Sequence, residues 1–93
     1  MVHGDSLKFM YFTYLLLLSN NKIYAGYTND LQRRFKEHYL GKVDSTKSYH
    51  PLKLIFYEMF LNKKDAERRE KYFKTDKGKK MIKVMLREYF LNL

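Results

Sequence analysis

Two polar side chains sit where an apolar helix stripe should run. Counting i, i+3, i+4, i+7 and i+8 from Leu31 gives Leu31, Arg34, Phe35, His38 and Tyr39, which places Arg34 and His38 one helical turn apart on the same face. A second stripe reads Ala66, Glu70 and Phe73, a carboxylate between two apolar neighbours. Charge beside a core is costly unless it is paired or used. Earlier in the chain stand Tyr11, Tyr14 and Tyr24, and strand alternation puts Tyr24, Gly26 and Thr28 on one face, with Gly26 opening space beside the tyrosine. Two phenols converging with an arginine, a histidine and a carboxylate make a coherent site for anion binding and proton transfer. Each residue also has a purely structural reading. Arg34 can bury its stem and keep its guanidinium in water, His38 can be a hydrogen-bonded core histidine, the tyrosines can be packing, and Glu70 can pair with Lys74 at i+4.

The rest of the composition narrows the chemistry. Ninety-three residues make one small domain, and a hydrophobic fraction of 45% is enough for one core. Cysteine is absent, which excludes disulfides, thiolate metal sites and thiol catalysis. The formal charge is +9, and residues 1–31 contribute none of it. Residues 63–83 alone carry ten cations against four acids, a concentration that suits a polyanionic partner and also serves solubility. The apolar run Phe9–Leu18 outlines a secretory signal, but aromatic residues and Thr13 interrupt it and no small-residue cleavage site follows. It also falls well short of the ~20 residues a spanning helix needs. A cytoplasmic location is therefore expected.

The elements that must position these residues can be read from turns and periodicity. Residues 1–8 form a loose leader, and residues 9–93 a single domain. Phe9–Leu18 and Ile23–Thr28, separated by Ser19-Asn20-Asn21, read as a hairpin whose first strand is central and covered on both faces. Asn29 with Gln32 forms a capping-box pattern ahead of a helix over Leu31–Leu40, which Gly41 stops. After a polar loop to Pro51, Leu52–Phe60 reads as a third strand. Asn62 caps a second helix over Lys63–Lys74, and Thr75 or Asp76 opens a third that runs through Met81, Ile82, Met85, Leu86, Tyr89 and Phe90. The order is β-β-α-β-α-α. It predicts an α+β fold with a small three-stranded antiparallel sheet and three helices.

The stretch FTYLLLLSNNKIYAG, then YTNDLQRRFKEH and later AERREKYFK, resembles the GIY-YIG nuclease family, particularly its small stand-alone bacterial members, which are related to the N-terminal nuclease domain of the bacterial excinuclease. The resemblance covers roughly Tyr11 to Leu86. Tyr14 matches the tyrosine closing the first family motif, Tyr24 and Gly26 match the second, and Arg34 matches the catalytic arginine. His38 stands where many members have a histidine one turn later, and Glu70 matches the metal-binding glutamate. Phe12-Thr13 replaces Gly-Ile before Tyr14, and Ala25 replaces the central isoleucine of the second motif. The loop Ser45, Thr46 and Lys47 is similar to one in the small members and is assigned no role. Longer members add an asparagine and a separate DNA-recognition domain, neither of which has a clear counterpart here.

The resemblance implies a metal-dependent endonuclease hydrolysing DNA, structure-selective or of low sequence specificity, with a place in DNA repair or processing by analogy. Glu70 would hold one Mg²⁺ or Mn²⁺, Arg34 would bind the scissile phosphate, and Tyr14 or Tyr24 would act as base aided by Arg34 and the metal, Tyr14 being favoured with Tyr24 positioning water. His38 would assist proton transfer or phosphate binding. Arg33, Lys47, Lys63, Lys64, Arg68, Arg69, Lys74 and Lys77 are the expected phosphate contacts. DNA is expected over RNA, with a protein partner for targeting and no membrane. The alternative is a non-catalytic nucleic-acid-binding module with the same fold.

Overall fold

A computed structural model describes residues 10–93; the expected leader, and Phe9 as a strand start, lie outside the described residues. Strands β1 (Tyr11–Leu17), β2 (Ile23–Thr28) and β3 (Lys53–Phe60) form one antiparallel sheet in the order β2-β1-β3. Helix α1 (Leu31–Tyr39) joins β2 to the loop before β3, and α2 (Lys63–Phe73), α3 (Asp76–Met85) and α4 (Arg87–Leu91) follow. β1 is central, as its largely apolar sequence predicts. The expected α+β fold and element order hold, with boundaries shifted by a residue or two.

Local chemistry explains the joints. The hairpin turns through Leu18–Lys22, where Leu18 N–H donates to Lys22 O at 2.9 Å and Asn21 takes φ 66°, a left-handed conformation that asparagine tolerates. The cap of α1 is Asp30, not Asn29: its side chain accepts from Arg33 N at 3.0 Å. Asn29 is one residue too early for that bond. At the other end Gly41 (φ 75°) donates to His38 O, and Lys42 donates to Glu37 O. That pair of bonds is a Schellman closure, and it fixes where the following loop departs. Asn62 and Thr75 cap α2 and α3 as expected.

The third helix is not continuous. Leu86 leaves helical geometry at φ −111° and ψ 28°, and the break separates α3 from α4. Met85, Leu86 and Phe90 all pack on the same cluster as Ile82. The apolar repeat is therefore a sound guide to the buried side but not to the continuity of the backbone.

Alternation along β1 divides the core. Tyr14, Leu16 and Leu18 face one side with Leu52, Tyr24, Leu31 and Phe35; Leu15 faces the other with Ala25, Phe73 and Ile82. Leu15 and Leu16 are fully buried, each contributing about 1.5–3 kcal/mol of apolar transfer. Thr13, which stands where the family has isoleucine, is also fully buried, and its hydroxyl donates to Ala66 O at 2.9 Å. The departure is thus satisfied by a hydrogen bond that ties α2 to the sheet.

Candidate active site

Tyr14 lies opposite Gly26 in the β1–β2 register, and its ring crosses over that residue. A Cβ at Gly26 would stand 2.4 Å from the Tyr14 hydroxyl and 2.5 Å from its ring carbon. The space opened by Gly26 is therefore occupied by Tyr14, and not by Tyr24 as alternation along one strand suggests. The crossing carries the phenol to the edge strand β2. There Tyr14, Tyr24, Gly26, Arg34 and Glu70 line one polar cavity of about 530 Å³.

Behind the phenol stands His38. Its Nε2 lies 2.8 Å from the Tyr14 hydroxyl and its Nδ1 lies 2.8 Å from Thr46 Oγ1. Tyr14 is 2% exposed, and His38 and Thr46 are 0% exposed. His38 also packs edge-on against both the Tyr14 and Tyr24 rings. It does not line the cavity, and its ring nitrogens face Tyr14 and Thr46 instead.

Burial pushes the Tyr14 phenol up to about 12, although the adjacent Arg34 pulls the other way. Arg34 alone does not make Tyr14 a standing phenolate. Burial, with Arg34 adding to it, lowers His38 to about 4, so the imidazole is neutral at pH 7. Burial works against the Arg34 charge, but the Glu37 carboxylate, 3.0 Å from Nη1, and the Tyr14 hydroxyl hold its pKa above the ordinary value. Arg34 is one-third exposed and faces the cavity as a cation.

Glu70 arrives from α2 with its side chain 16% exposed, and Lys74 pairs with it at 3.5 Å. The i+4 pairing and the cavity position are both real. Among the described residues no cluster of three His, Asp or Glu could hold a metal. One carboxylate in a polar cavity still fits Mg²⁺ or Mn²⁺, because such ions keep several waters and take substrate phosphate as a ligand.

The remaining cations divide. Arg33 and Lys63 line the cavity, and Lys74 lies 5.8 Å from the centre of the Tyr24 ring. Lys64 and Lys77 are exposed on α2 and α3, while Arg68 and Lys47 pair with Asp65 and Asp44 on the surface. Arg69 is not brought to the site. Its guanidinium pairs with Glu58 and stacks 4.4 Å over Phe73, so it joins α2 to β3. Tyr11, Tyr27, Thr28 and Asn29 also line the cavity. Of these, Thr28 shares the Gly26 face and can be found by alternation, whereas Thr46 sits in a loop with no period to reveal it.

Residues 10–83 match the GIY-YIG catalytic domain. The chain belongs to the GIY-YIG family. Among its relatives, the UPF0213 protein of Limosilactobacillus reuteri (strain DSM 20016) is 42% identical over 79 residues, covering 82% of each chain. The UPF0213 protein YazA of Bacillus subtilis (strain 168) is 45% identical over 71 residues, 75% of this chain and 72% of that one. The solution NMR structure of a UPF0213 protein from Bacillus halodurans superposes with a TM-score of 0.54 at 29% identity, covering 82% of this chain and 84% of that one. As a small GIY-YIG protein, this chain presents the family tyrosines, arginine and glutamate on one cavity. No described helix is long and apolar enough to cross a membrane.

Proposed function

We propose that this GIY-YIG protein is a metal-dependent endonuclease that hydrolyses phosphodiester bonds in DNA. The observation that carries the reading is the convergence of Tyr14, Tyr24, Arg34 and Glu70 on one polar cavity, with His38 hydrogen-bonded behind Tyr14. Arg34 binds the scissile phosphate through its planar fork. Tyr24 positions the attacking water. Glu70 would hold a Mg²⁺ or Mn²⁺, which when bound would supply neutralisation of charge on the phosphoryl oxygens.

The proton path follows from the buried pair. As water attacks phosphorus and the bond to the leaving oxygen breaks, the water proton passes to the Tyr14 oxygen while the Tyr14 proton passes to His38 Nε2. Solvent returns a proton to the leaving oxygen. No free phenolate is needed at any stage. The exposed cations Lys64 and Lys77, with Lys63 and Arg33 at the cavity, bind backbone phosphates without reading bases. A role in DNA repair or processing, with a protein partner for targeting, extends this reading by analogy with the family.

The test is cleavage of a labelled panel of single-stranded, duplex, nicked and branched DNA with Mg²⁺ or Mn²⁺. Metal-dependent cutting that Glu70→Ala abolishes is the expected result. A folded parent that binds the panel and cuts none of it contradicts the reading.

A further inference from the structure

The loop between α1 and β3 inserts one hydroxyl into the protein interior behind the site. Thr46 is fully buried, and its loop is closed on itself by Thr46 N–H to Val43 O at 3.1 Å, Lys47 N–H to Val43 O at 2.9 Å and Tyr49 N–H to Thr46 O at 3.0 Å. Ser19 N–H donates to Tyr49 O at 3.0 Å and ties the loop to the hairpin turn. Thr46 Oγ1 is thus held at 2.8 Å from His38 Nδ1. The same oxygen lies 3.5 Å from the Val43 carbonyl.

A neutral imidazole has two tautomers, and only one of them can accept a proton at Nε2. The Val43 carbonyl is an acceptor only, and a Thr46 hydroxyl hydrogen directed at it would leave an oxygen lone pair facing Nδ1. In that arrangement Nδ1 would carry the hydrogen. Nε2, 2.8 Å from the Tyr14 hydroxyl, would then present a lone pair to it. The opposite tautomer would donate to Tyr14, and the phenol would have no base behind it.

We propose that Thr46 is a positioning residue that holds His38 as its Nδ1–H tautomer, keeping Nε2 ready to receive the Tyr14 proton. The assignment follows the logic of a base oriented by a third group, here an uncharged hydroxyl in place of a carboxylate. A hydroxyl fits this interior because it orients the ring without burying a second charge. The inference rests on the nuclease reading for its consequence, but not for its geometry.

The test combines ¹⁵N NMR of the histidine ring with single-turnover cleavage for the parent, Thr46→Val and Thr46→Ser. The parent is expected to show His38 protonated at Nδ1 and bare at Nε2. Thr46→Val should shift the ring toward the other tautomer and slow the chemical step by about tenfold or more with DNA affinity unchanged, and Thr46→Ser should restore both. A parent ring bare at Nδ1, or a Thr46→Val ring that keeps the parent tautomer, overturns the proposal. The parent spectrum decides this even where the valine variant folds poorly. Absence of cleavage by the parent, with the expected tautomer in place, would count against the nuclease reading and leave the Thr46 assignment standing.

Discussion

The Tyr14 hydroxyl and His38 Nε2 lie 2.8 Å apart in the interior of the protein, one from the central strand and the other from α1. The phenol reaches the cavity; the imidazole does not. In the proposed mechanism Tyr14 is the group through which the buried imidazole acts on substrate. Replacing His38 by Gln should lower the single-turnover cleavage rate by about 10²-fold or more while leaving DNA affinity within about twofold, a loss in the range for general-base removal. An equal loss of affinity would place His38 at the phosphate instead.

The same histidine makes stability depend on pH. Its pKa is about 4 in the folded protein against 6.5 for a free side chain, so the unfolded chain binds the proton more tightly. Its contribution is complete above pH ~6.5 and is lost as pH falls to ~4, below which it changes no further. The difference corresponds to about 3 kcal/mol at most. Denaturant melts between about pH 4 and pH 7 should show this slope in the parent and a shallower one in His38→Gln. Matching slopes would remove His38 from the account.

Gly26 is required by the Tyr14 ring and not by backbone conformation. Gly26→Ala puts a methyl 2.4 Å from the hydroxyl, and overpacking of this kind costs about 1–3 kcal/mol. The variant should fold with a lowered Tm and lose most cleavage, because the phenol is pushed off both His38 and the cavity. A folded variant with full activity would mean that Tyr14 need not cross the strand.

Arg69 and Lys64 should separate cleanly. Arg69 joins Glu58 to the Phe73 face, so Arg69→Ala should destabilise the protein by about 1–3 kcal/mol and leave the salt dependence of DNA binding unchanged. Lys64→Ala should do the reverse, reducing the slope of log K against log salt by about 0.9. Chemical denaturation and binding titrations at several salt concentrations distinguish them.

Much of this is legible in the chain because it depends on local periodicity. Arg34 and His38 at i and i+4 share a helix face, and Glu70 between Ala66 and Phe73 must approach the sheet, whatever the tertiary details. Asn62 and Thr75 announce helix starts by the chemistry of their oxygens. What is not legible depends on contacts distant in sequence. The use of Arg69 is set by Glu58 on another element, and the value of Thr46 by where its loop closes. The break at Leu86 conserves the apolar pattern and so leaves no trace in it. The net effect on Tyr14 escapes sequence reading because the chain shows the neighbouring Arg34 charge but not the depth of burial that outweighs it.

The most direct measurement is single-turnover cleavage of the labelled DNA panel by the parent, Tyr14→Phe and Tyr24→Phe side by side. The phenylalanine at position 14 keeps the ring and removes only the hydroxyl that links His38 to the cavity. The account predicts a loss of at least ~10²-fold for Tyr14→Phe and a smaller loss for Tyr24→Phe, with both variants folded and binding DNA. Near-parental cutting by Tyr14→Phe, with Tyr24→Phe inactive, would contradict it and pass the proton step to Tyr24.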